Sequence, residues 1–164
     1  MSGALTGQLR KEHAKLMPHV DELRIIADYA PEIPHGSLRA RLFREHEFLV
    51  HEFLPHMESE QRVLYPIMEP LLERHSEVPS VTHAHDRIQA LIDALGAASE
   101  GPGSRAPERW VLEARRTLYE LYALLKVHLA EEELNAPIVE SELSENLVTA
   151  VAARLEFGEP PGES

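Results

Sequence analysis

Four histidines stand on a double spacing. His13 precedes His56 by 43 residues, and His85 precedes His128 by the same 43. The second histidine of each pair is followed four residues later by a glutamate, giving His56-x-x-x-Glu60 and His128-x-x-x-Glu132. The surroundings repeat as well: Leu16, Val20 and Leu23 follow His13 at the offsets at which Ile88, Ile92 and Leu95 follow His85. Pro66-Ile67-Met68-Glu69 is echoed, one residue out of step, by Pro137-Ile138-Val139-Glu140. On a helix, residues at i, i+3, i+4 and i+7 share one face, so each histidine and the glutamate four residues on would point the same way.

Apolar residues recur at that helical period along the chain, and alternating strand patterns are absent, so the fold class expected is all-α. Breaks at Pro31–Gly36, Ser76–Ser80 and Gly96–Pro107 divide the chain into helices over about 2–30, 37–75, 80–98 and 105–134. Ser37, Ser80 and Ser104 stand where N-caps are wanted. Pro18, Pro55 and Pro66 fall inside helices and should bend rather than end them. A short fifth helix over about 142–157 follows Pro137, and the polar, proline-rich tail 158–164 is expected to fray. Short connections predict an up-down-up-down four-helix bundle. With 164 residues and 43% hydrophobic content, one domain over 1–157 accounts for the core.

Composition removes several functions. Twenty-eight acidic against 16 basic residues leave a net charge of -12, which speaks against nucleic acid and anionic membranes as partners. No residue is cysteine, so a metal must be held by nitrogen and oxygen. Neither a signal-peptide core nor a bilayer-length apolar run is present, and a cytoplasmic location is the expectation. No Gly-rich phosphate loop, G-x-S-x-G or thiol nucleophile occurs.

Placed on helices, the repeated residues fall within apolar stripes. These read Leu9, His13, Leu16, Val20, Leu23; Leu49, Phe53, His56, Glu60, Leu64; Val81, His85, Ile88, Ile92, Leu95; and Leu118, Leu121, Leu125, His128, Glu132. Each helix therefore aims a histidine at the interior, and two add a carboxylate one turn along. Burying such groups unpaired costs several kcal/mol each, roughly, and a pair of metal ions would offset it. Four imidazoles give two nitrogens per ion, and Glu60 and Glu132 can bridge. Mixed imidazole and carboxylate donors suit iron, manganese or zinc better than calcium or magnesium. Iron leads, because bridged ion pairs in helical bundles recur in oxygen chemistry.

The order His, His-x-x-x-Glu, His, His-x-x-x-Glu over residues 8–141 resembles the hemerythrin-like proteins, or HHE cation-binding domains. The resemblance implies a non-haem di-iron centre with His13, His56, His85 and His128 as terminal ligands and Glu60 and Glu132 as bridges. Two departures stand out. Oxygen-carrying hemerythrins have a second histidine one turn along the third helix, where this chain has Gln89. Their last carboxylate comes five residues after its histidine, which here is Glu133, so Glu132 and Glu133 both remain candidates. Losing the fifth histidine leaves matched shells and favours sensing or redox chemistry over oxygen carriage.

The remaining histidines carry no assigned role: His46 and His51 are rotated off the His56 face, His83 opposes His85, His35 and His75 lie in connections, and His19 is peripheral. Glu52 could orient the His56 ring. Tyr65, Tyr119 and Tyr122 could reach the centre through their hydroxyls. The functional expectation is a protein that binds, senses or reacts with O2, peroxide or NO, with catalase-like turnover as one enzymatic form. The alternatives are a metal-dependent regulatory module docking a partner through the fifth helix or the acidic surface, and metal buffering.

Overall fold

The computed structural model describes residues 3–74 and 82–157, and every regular element among them is helical. In chain order they are α1 (Ala4–Tyr29), α2 (His35–Phe48), a π turn (Leu49–Phe53), α3 (Leu54–Val63), α4 (Tyr65–Leu72), α5 (Thr82–Ser99), α6 (Pro107–Glu142) and α7 (Glu145–Phe157). No described helix is long and apolar enough to cross a membrane. Helix α1 lies along α6, α5 packs on both α6 and α2, and α7 covers α1 and α3.

The long second segment is broken twice, both times beside proline. Pro55 has no N–H to give the carbonyl four residues back, and its ring crowds that carbonyl. Just before it, the chain widens to a π turn in which the Leu54 N–H reaches the Leu49 carbonyl. One extra residue per turn rotates the downstream helix face by roughly 100°. Ahead of Pro66 the helix breaks again at Leu64 (φ -91°, ψ -50°), and α4 restarts at Tyr65. Pro18, by contrast, sits in an unbroken α1.

Several expected boundaries are corrected. Ser37 lies within α2, which starts at His35, and Ser104 lies in the turn before α6. The N-cap positions are Pro34 and Ala106, neither with a side-chain cap bond. One backbone amide at the start of α1 finds a more distant partner: the Glu140 carboxylate accepts bonds from the Thr6 N–H (2.9 Å) and from the Thr6 hydroxyl (2.8 Å). The α5–α6 turn needs glycine at Gly101, where φ is +101°. Helix α6 does not stop at 134 but runs through Pro137 to Glu142, and α7 begins at Glu145. Burial of Ala136 and Val139 outweighs the one bond that Pro137 forfeits. Ser80, His75 and the 158–164 tail lie outside the described residues, as does the His83 side chain.

The apolar interior is in two parts. One contains Val20, Leu23, Leu42, Phe53, Ile88, Leu95, Trp110 and Leu125 among others; the second contains Leu5, Leu9, Leu64, Met68, Ala136, Val139, Val148 and Val151. Between them runs a layer of buried polar side chains. On α1 it is His13, flanked by Leu9 of one core and Leu16 of the other; on α6 it is His128 and Glu132, flanked by Leu125 and Ala136.

Candidate metal centre

Into this layer the helices deliver all six residues singled out from the repeat. His13 comes from α1, His56 and Glu60 from α3, His85 from α5, and His128 and Glu132 from α6. They form two groups of four, His13, His56, Glu60, Glu132 and Glu60, His85, His128, Glu132, within each of which donor-type atoms lie within 4.8 Å of one another. Glu60 and Glu132 belong to both. Five of the six are at most 3% exposed, and His56 is the one whose side chain reaches 13%.

Distances inside the layer are short, yet most of them are not hydrogen bonds. The Nε2 atom of His56 is 2.8 Å from Glu60 Oε1, and that of His13 is 3.4 Å from Glu132 Oε2 and 3.8 Å from Glu60 Oε1. Nε2 of His128 lies 3.4 Å from Glu132 Oε1 and 3.8 Å from Glu60 Oε2. Among the described residues, His13 Nε2, His56 Nε2, both oxygens of Glu60 and Glu132 Oε2 are buried without a hydrogen-bond partner. Buried polar atoms are normally satisfied, and leaving a charged one unmet costs several kcal/mol, roughly. Lone pairs converging on common points are what a metal ion would satisfy, so the donor set fits metal.

Charge in the layer is correspondingly strained. Burial raises both carboxyls, but the imidazoles of His128, His13 and His56 hold Glu60 well below the usual range. Glu132, buried and beside the Glu60 charge, is raised. Burial opposes protonation of His13, yet Glu132 and Glu60 outweigh it and push the ring up to about 10. His128 is raised by the same carboxylates against its burial. His85, buried and next to His128, is lowered to about 4. Tyr65 is raised by burial and by the charges of Glu132 and Glu60.

Several neighbours answer points the sequence left open. Glu132 points into the layer and is fully buried, whereas Glu133 is about one-third exposed and bonds His13 Nδ1 at 3.0 Å, with Arg10 3.4 Å away on its other oxygen. Glu133 thus orients the His13 ring from outside. Sequence reasoning considered it as a bridge and missed this role; its position one residue past Glu132, rotated about 100° toward α1, is the available signal. Glu133→Ala is expected to leave the fold intact and weaken metal affinity about 10–100-fold, as loss of such partners does; titration with a competing chelator measures it, and unchanged affinity would refute it.

Glu52 is exposed and makes no bond to His56; both line a cavity of about 370 Å3 with Glu12, Lys15, Leu16, His19 and Phe48. Of the three tyrosines, only Tyr65 reaches the layer: Tyr119 bonds Asp28 at 2.7 Å, and Tyr122 lies beneath Arg24 and Lys126. Gln89 is exposed and bonds Asp93 at 3.0 Å, so the third helix supplies no second donor there. His19 stacks on Phe48 and bonds Glu45, while His46 and His51 each lie near Glu47. His35 packs edge-on against Trp110 as the first residue of α2, not in a connection.

Searches of curated proteins and of solved structures give no significant match. Residues 4–139, however, match the hemerythrin HHE cation-binding domain, a span that contains all six residues of the layer. By that match over most of its length, the chain belongs to the hemerythrin HHE cation-binding domain family.

Proposed function

We propose that the chain is an up-down-up-down four-helix bundle whose polar layer holds two iron ions, with His13, His56, His85 and His128 as terminal ligands and Glu60 and Glu132 as bridges. In this reading it binds, senses or turns over O2, NO or peroxide. The observation that carries it is two groups of closely spaced, buried donor residues that share two carboxylates, with both oxygens of Glu60 and one of Glu132 lacking a hydrogen-bond partner among the described residues. A carboxylate common to both groups has two oxygens with which to bridge a pair of ions. Manganese and zinc suit the same donors, and the family match supports a cation without selecting among them.

When bound, ferrous ions supply the electrons that O2 or peroxide accepts. The chain's own residues do the rest. Phe53 packs its ring against those of His56 and His128, limiting water on that side. Glu133 fixes the His13 ring, and the Tyr65 hydroxyl donates to Glu132 at 2.6 Å. A shell of four imidazoles and two carboxylates carries less negative charge than a carboxylate-rich one, which favours ligand binding and peroxide turnover over oxidation of organic substrates. Docking through α7 gains no support, since Val148 and Val151 of that helix are already in the second core.

Metal content per chain, measured on protein purified without chelator, tests the proposal against a His56→Ala, His128→Ala double variant. The expected result is close to two irons in the wild type and almost none in the variant. Metal absent from both would end the di-iron reading. Once loaded, a spectrum that changes with O2 and reverses under vacuum would mark binding, and oxygen evolved from peroxide would mark catalase-like turnover.

A further inference from the structure

On six residues alone the two metal positions are equivalent, each with two imidazoles and two shared carboxylates. Tyr65 removes the equivalence. Its hydroxyl oxygen is 2.9 Å from His85 Nε2 and 2.6 Å from Glu132 Oε1, and its ring lies against that of His85 with centroids 5.0 Å apart. The Nε2 atoms of His85 and His128 are themselves 3.3 Å apart. Neighbouring donors on one ion, with bonds of roughly 2.0–2.2 Å, are on the order of 3 Å from each other. The tyrosine oxygen therefore stands at the spacing of a donor.

Tyr65 opens α4 directly after the interruption at Leu64, and both residues are buried. No tyrosine faces the other position. There, His56 is the least buried of the six, and it borders the cavity of about 370 Å3 lined by Glu12, Lys15, His19 and Phe48.

We propose that Tyr65 is a fifth protein donor to the ion held by His85 and His128, so that the position open to an outside ligand is on the ion held by His13 and His56. The inference rests on the di-iron reading. On coordination the phenol O–H bond breaks, an oxygen–iron bond forms, the proton passes to solvent and no electron is transferred.

Protein loaded with ferric iron should show visible phenolate-to-iron charge-transfer absorption, and Raman spectra excited in that band should contain phenolate ring vibrations. Tyr65→Phe, which keeps the ring, should hold two irons and lose both signals. Tyr119 and Tyr122 are engaged away from the layer and Tyr29 is 55% exposed, so such vibrations in the wild type identify Tyr65 without any variant. Two irons without phenolate vibrations, or a band that survives in Tyr65→Phe, would overturn this inference and leave the six-residue centre standing. A wild type that takes up no iron would overturn both.

Discussion

Glu60→Ala is expected to empty both metal positions, taking iron from about two per chain to almost none, whereas His13→Ala is expected to leave about one. The contrast arises from membership: Glu60 is in both donor groups and His13 in one. Neither Glu60 oxygen has a hydrogen-bond partner among the described residues, so truncating it breaks no bond of the kind that holds helices together. Far-UV circular dichroism should thus show the metal-free variant as helical as the metal-free wild type. Elemental analysis after dialysis decides the matter, and a Glu60→Ala chain that keeps two irons would refute shared ligation.

Stripping the metal should be the largest perturbation that leaves the sequence untouched. A ligand that binds only the folded state stabilises it by about 4 kcal/mol when its free concentration is 1,000 times its Kd. For a chain of this size each kcal/mol moves the melting temperature by about 2–4 °C. Two ions therefore predict a fall on the order of 20 °C after chelation, restored by adding ferrous iron back. Calorimetry with and without chelator measures the difference, and coincident melting curves would mean that the layer is satisfied without metal.

The helical class and the six polar-layer residues were legible because helical spacing converts directly into a shared face. The stripe on the first helix needs only the 3.6-residue period to place His13 between Leu9 and Leu16. What could not be read was decided by packing between distant segments. Pro137 looks like a stop, yet α6 continues through it because Ala136 and Val139 are buried in a core completed by Leu5, Leu9 and Val151. Ser37 and Ser104 look like caps, but α2 and α6 start after Pro34 and Ala106 with no side-chain cap bond, and the start of α1 is held by Glu140, 134 residues from Thr6. The choice between Glu132 and Glu133 needed the position of α1, since only the neighbouring His13 gives Glu133 something to hold. Tyr65 was one of three candidate tyrosines, and what singles it out is its contact with His85 and Glu132, which come from two other helices.

The layer between the two apolar cores has a consequence for how the molecule comes apart. A band of imidazoles and carboxylates, several of whose buried atoms have no hydrogen-bond partner among the described residues, transmits little of the packing energy that makes a domain unfold all at once. Without metal, the end containing Leu5, Met68 and Val139 should open separately from the end containing Trp110 and Leu23, and amide hydrogens at the two ends should exchange at different rates. Ions bonded to α1, α3, α5 and α6 together would fasten the ends into a single cooperative unit, so that loading evens out the exchange rates as well as slowing them.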